Sequence, residues 1–295
     1  MHLLSATAFY RYPTDHTAHI EDGHFLNICA GFFGVVDGVS AAYSPKHPPL
    51  RYSKGLTGGQ VAASIVCRVG SEARDTAIDL EQLVLQMNTR IWLEHKNMGK
   101  MPGLDDVGGT GFAFCKVAKD GLEFILGSDC AVFVIDDTGV RFVSGFDTAA
   151  QIVEFLEEKN FARHLMEQGG NKENAWDAHF TFCEKKRLKY INKQIGSGGF
   201  ALLNGDHAVQ NCWTNFRIAH SSHPRLVLLL TDGMLPLSWT ASDQREKLTQ
   251  KLLELSTEGT QALLDWRDSE TMRVGGSPHI NGWPEATMVQ LVFAE

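Results

Sequence analysis

GFFGVVDGVSAAYS, residues 31–44, decides how this chain folds. Phe32, Phe33, Val35 and Val36 form a short apolar run that stops at an acid and a glycine, Asp37-Gly38. A run apolar on both sides predicts a strand buried on both faces, so its tip delivers a carboxylate to the rim of a core. Gly38 lets the backbone turn sharply and brings its own carbonyl close to whatever Asp37 holds. LVLLLTDGM, residues 226–234, repeats the construction, with Leu226 to Leu230 ending at Asp232-Gly233. Two buried strands that each present an Asp at the tip can hold hard divalent cations through oxygen.

Outward from these strands the periodicity alternates between two regimes. A strand is expected over residues 4–12, and Glu21-Asp22-Gly23 reads as a hairpin tip before Phe25 to Cys29. A Pro-rich loop, 44–53, leads to a helix opened by Gly58-Gly59, with Val61, Ala62, Ile65, Val66 and Val69 on one side. Leu80, Leu83, Val84, Met87 and Ile91 recur at helical spacing over about 76–95. From Gly108 to Ser144 the period changes to that of a β meander with turn residues at each bend. Residues 147–194 are charged and helical in tendency, with Asp147 a plausible N-cap. Gly196 to Gly199 break the chain before the apolar patch Phe200 to Leu203. After the second buried strand, Thr240 and Asp243 have capping-box spacing ahead of Leu248, Leu252 and Leu255. A helix over Thr260 to Asp268 and a last strand, Thr287 to Phe293, close the chain. No internal repeat or low-complexity linker divides the 295 residues, so one domain over 1–295 is expected.

The net charge is −8, which leaves no electrostatic footprint for nucleic acid or an anionic membrane. Six cysteines are scattered without a C-x-x-C pair, which suits reduced thiols in a cytoplasmic protein. There is no basic leader and no run of apolar residues long enough to span a bilayer.

Taken together, Asp15 after Arg11, VVDG ending at Gly38, GGTGFAF, GSDCAVFV, LLLTDGM and PEATMVQLVF follow the order of landmarks in the PP2C family of metal-dependent protein phosphatases, which this chain resembles over its whole length. The resemblance implies an α+β fold, an αββα sandwich of two antiparallel sheets flanked by helices. It also implies a serine/threonine phosphoprotein phosphatase that uses two or three Mn²⁺ or Mg²⁺ ions to activate water against a phosphorylated protein substrate. Carried over by position, Asp37 would bridge two ions with the Gly38 carbonyl on one of them. Asp232 would hold the other, Asp129 a third, and Arg11 would clamp phosphate through its planar fork. Three positions depart from the pattern. Pro284 stands where a metal-binding Asp is usual, leaving Glu285 one position along as the replacement ligand. Val39 stands where many members carry a His, and Ser128-Asp129 replaces Gly-Asp. A PP2C-like pseudophosphatase acting as a binding or regulatory module is the alternative that the Pro284 position raises.

Other residues have plainer readings. His16, His19 and His24 lie in extended or looped chain, where their spacing does not converge on one ion. The glycines of GSGGF lack the Lys-Ser/Thr of a phosphate cradle. The charged run CEKKRLKY, residues 183–190, reads as a solvated helix face.

Overall fold

The computed structural model describes residues 2–13, 19–145, 159–193, 199–235, 245–256, 258–273 and 285–294. Ten strands form two five-stranded antiparallel sheets among these residues. One sheet runs in the order β1 (Leu3–Arg11), β10 (Ala286–Phe293), β9 (Leu226–Leu230), β6 (Ala131–Asp136), β7 (Gly139–Ser144). The other runs β2 (Gly23–Asn27), β3 (Phe32–Val39), β4 (Gly109–Ala118), β5 (Gly121–Gly127), β8 (Thr214–Ala219). Helices α1 (Gly58–Glu72) and α2 (Leu80–Asn97) cover the second sheet, and α4 (Arg245–Ser256) with α5 (Thr260–Arg273) cover the first. The expected αββα sandwich is therefore the observed architecture.

The alternation along β3 explains where the site lies. Phe33 and Val35 point between the sheets, against Val132, Leu229 and Leu291, whereas Phe32 and Val36 point outward onto α1 and α2. Each of these four side chains is 0% exposed, and burial of each contributes roughly 1.5–3 kcal/mol. Asp37 follows Phe33 and Val35 in the same period of two, so the next member of an apolar inner row is a carboxylate. That row ends at the open edge of the sandwich.

The helices start where local chemistry stops the backbone. Thr57 caps α1 in a full capping box with Gln60, and Asp79 caps α2 by accepting from the Gln82 amide. Helix α2 thus begins a few residues after the periodicity alone suggests. The N-cap expected at Asp147, the box at Thr240 and Asp243, and Gly196 to Gly198 of the expected chain break lie outside the described residues.

Two readings are corrected. Strand β8 was not expected, yet it completes the second sheet by pairing Phe124 with Phe216 and Leu122 with Ile218. The run 183–190 belongs to α3 (Lys172–Tyr190), but it is not simply a solvated face. Arg187 donates to the Ser40 carbonyl and faces Asp106 at 4.0 Å, while Asp177 of the same helix accepts from the Ser44 hydroxyl at 2.6 Å. Helix α3 is therefore pinned onto the loop that follows Asp37 and Gly38.

Candidate metal centre

Asp37, Asp129 and Asp232 each place a carboxylate oxygen within 4.8 Å of the other two. Asp37 arrives from the end of β3, Asp129 from the turn between β5 and β6, and Asp232 from the 3-10 turn Asp232–Met234 that ends β9. Both sheets thus contribute acids to one point at the edge between them.

Glycines and one strained serine make the approach possible. Gly111 pairs with Asp37 across β3 and β4, and a Cβ there would stand 2.9 Å from Asp129 Oδ1. Ser128 adopts a left-handed φ of +59°, a conformation glycine takes more easily, and this turn carries Asp129 inward. A Cβ on Gly38 would lie 2.5 Å from the Glu21 carbonyl oxygen, so only glycine fits between β3 and the approaching 21–22 segment. Thr110 of the GGTG stretch donates its hydroxyl to the Asp37 carbonyl at 2.9 Å.

A fourth acid joins them, one that the hairpin reading of Glu21-Asp22-Gly23 passed over. Oδ2 of Asp22 accepts from the hydroxyls of Thr231 and Thr287, each at 3.0 Å. Thr231 and Thr287 are themselves locked together by two 3.0 Å backbone-linked bonds between the β9 end and the β10 start. Glu21 turns the other way, its Oε1 accepting from the hydroxyls of Ser40 and Thr57. A signal was present in the sequence: Asp22-Gly23 is one more Asp-Gly pair at a strand tip, like Asp37-Gly38 and Asp232-Gly233.

The electrostatics are those of crowded acids, with the buried Arg267 guanidinium near Asp232 as a cationic neighbour. Burial raises the Asp37 pKa well above the usual carboxylate range, and Asp22, Asp232 and Asp129 push it further. Burial also raises Asp22, followed by repulsion from Glu285 and Asp232, with the two threonine hydroxyls opposing. Burial and the same acids raise the thiol of Cys130, which is 0% exposed. A divalent cation relieves this repulsion, and an all-oxygen donor set suits Mg²⁺ or Mn²⁺. The residues fit such ions.

The remaining sequence-derived positions are placed as follows. Gly38 lies beside Asp37 at the site. Glu285 stands outside the three-carboxylate group: its oxygens accept from the amides of Glu21 at 2.7 Å and Asp22 at 2.9 Å, and from the Tyr10 hydroxyl at 2.6 Å. Arg11, at the end of β1, forms a partly buried ion pair with Asp268 of α5 at 3.1 Å. Asp15 and Pro284 lie outside the described residues.

The same arrangement of sheets and helices occurs in solved bacterial phosphatases. The Mycobacterium tuberculosis serine/threonine phosphatase PstP/Ppp matches 99% of this chain over 100% of its own, with 14% identity and a TM-score of 0.55. The catalytic domain of PstP in complex with two manganese ions matches over 100% of both chains, at 16% identity and a TM-score of 0.54. Stp1 of Staphylococcus aureus is similar over 99% of this chain and 96% of its own, at 15% identity and a TM-score of 0.50. No protein-family profile and no curated protein sequence matches the chain. The fold expected from the motifs, that of PP2C-type phosphatases, is thus found at sequence identities of 14–16%.

Proposed function

We propose that the chain is a metal-dependent hydrolase of phosphoserine and phosphothreonine in proteins, using Mn²⁺ or Mg²⁺. The observation that carries this reading is the meeting of Asp37, Asp129 and Asp232 within 4.8 Å at the sheet edge of a phosphatase fold. When bound, a pair of divalent cations in such a site makes water acidic enough to attack phosphorus near neutral pH and offsets charge on the displaced oxygens. Asp37 and Asp232 are the residues to hold that pair, with the Gly38 carbonyl adding an oxygen and Asp129 serving a third ion.

The chain's own groups favour water as the nucleophile. Cys130 is the thiol beside the acids, and burial keeps it protonated and unreactive. Asp22, anchored by Thr231 and Thr287, sets the negative field that the cations answer. Arg11 is the residue to clamp phosphate, with its Nη1 shared with Asp268.

Asp37→Asn and Asp232→Asn should each reduce Mn²⁺-stimulated hydrolysis of a phosphopeptide, and of p-nitrophenyl phosphate, by at least about a hundredfold. Full activity in either variant would refute the assignment. A second reading, a phosphatase-like binding module, is favoured by one observation: Glu285 spends its oxygens on backbone amides instead of the acid group. Calorimetric titration separates the two, because a module of that kind takes up no Mn²⁺ at millimolar concentration.

A further inference from the structure

Glu285 ties the connector into β2 to the paired strands β1 and β10. Its side chain leaves the chain one residue before β10, accepts the amides of Glu21 and Asp22 on the connector into β2, and accepts the Tyr10 hydroxyl from β1. Tyr10 pairs with Thr287 and Arg11 with Ala286, so β1 and β10 are already in register where this contact forms. Of the two residues it grips, Asp22 faces the acids and Glu21 faces away. Asp22 carries the carboxylate tied to Thr231 and Thr287, and Glu21 carries the one tied to Ser40 and Thr57. The Glu285 carboxylate therefore ties the 21–22 backbone to the β10 start and to β1, while the Asp22 carboxylate ties the same segment to Thr231 and Thr287.

We infer that Glu285 is a positioning residue for the metal centre: it takes no part as a ligand, and acts by fixing where Asp22 stands relative to Asp232. The inference rests on the metal-centre reading above. A charged acceptor suits this work, since bonds from two amides and a hydroxyl to a carboxylate are short and strong, and two oxygens can serve three donors. A neutral amide at this position could accept with only one oxygen and would turn an N–H group toward the other donors. Tyr10 completes the device. Burial, then its bond to Glu285, keeps its hydroxyl protonated through the whole working range of pH, so it stays a donor.

The test is Mn²⁺ titration by calorimetry of wild-type, Glu285→Ala, Glu285→Gln and Tyr10→Phe proteins, with p-nitrophenyl phosphate turnover followed against Mn²⁺ concentration. Glu285→Ala should weaken Mn²⁺ binding by about tenfold or more while the number of ions bound per chain is unchanged, and kcat should recover at saturating Mn²⁺. Glu285→Gln and Tyr10→Phe should shift affinity in the same direction by less. A merely structural role would lower the unfolding temperature without moving the Mn²⁺ dependence. If Glu285→Ala does not fold, the Gln and Phe variants carry the measurement, and wild-type affinity in both overturns the inference. Loss of one bound ion in Glu285→Ala or Glu285→Gln also overturns it, because Glu285 would then be a ligand. A wild-type protein that binds Mn²⁺ without hydrolysing phosphate would refute the phosphatase reading alone, since the affinity shifts would still decide the role of Glu285.

Discussion

Gly233 shows how little freedom the site leaves to single residues. A Cβ at this position would stand 1.8 Å from the Glu285 carbonyl oxygen, which is backbone and cannot swing aside. Gly233→Ala should therefore push the β10 start away from Asp232 and lower unfolding stability by at least about 2 kcal/mol, measured by urea denaturation of the metal-free protein. An unchanged midpoint would mean the two segments are not so closely apposed. Asp22 makes the complementary point about charge. Asp22→Asn keeps the acceptor oxygen for Thr231 and Thr287 but removes one negative charge, so Mn²⁺ affinity should fall by about tenfold while stability in chelator is unchanged or higher. Asp37 and Asp232 could be picked out of the sequence because each ends a long apolar run. Asp22 could not be ranked with them, since its partners Thr231 and Thr287 are more than two hundred positions away and only the folded register of β9 and β10 brings them near.

At the scale of elements, local pattern predicts what local forces build. Helices α1 and α2 follow from their apolar spacing and caps, and β3 and β9 from continuous apolar runs. Strand β8 does not stand out in the sequence although Thr214, Phe216 and Ile218 alternate with Asn215, Arg217 and Ala219, because that period of two is short and follows a broken, polar stretch. Helix α2 carries a feature that its apolar stripe conceals: His95 is 0% exposed, with Nδ1 2.5 Å from the Tyr52 hydroxyl. Burial pulls its pKa down to about 4 from 6.5. The folded state thus binds fewer protons than the unfolded chain between those values, so the stabilisation is fully present above pH 6.5 and is lost as pH falls toward 4. The shift corresponds to about 3 kcal/mol. Denaturant midpoints taken from pH 7 to pH 4.5 should fall more steeply for wild type than for His95→Gln, which has no proton to gain. Parallel slopes would remove His95 from the account. Helix α3 is pinned by polar contacts, and Arg187→Ala should speed amide exchange at residues 40–44 without altering it in β4.

For the whole molecule, the sandwich places a cluster of buried acids at one edge. Asp37, Asp129 and Asp232 meet where the inner apolar rows end, with Asp22 close enough to add its charge, so the metal-free protein folds against their mutual repulsion. The αββα layering was legible from alternating and helical periods, but the convergence of positions 22, 37, 129 and 232 is a property of topology, because β3 and β9 lie in different sheets. Ions that bind the folded state and not the unfolded one stabilise it by mass action, by about 2.7 kcal/mol when their concentration is a hundred times the dissociation constant. In a chain of 295 residues that corresponds to a rise of several degrees in unfolding temperature. Thermal scans in excess chelator and in Mn²⁺ should therefore separate clearly for wild type, and the gap should close in Asp37→Asn, where one of the clustered carboxylates is gone and the repulsion itself is reduced. The same variant should melt at or above the wild-type temperature in chelator. An Asp37→Asn protein less stable than wild type without metal would mean that the carboxylate is structural, and that the crowding of acids does not oppose folding.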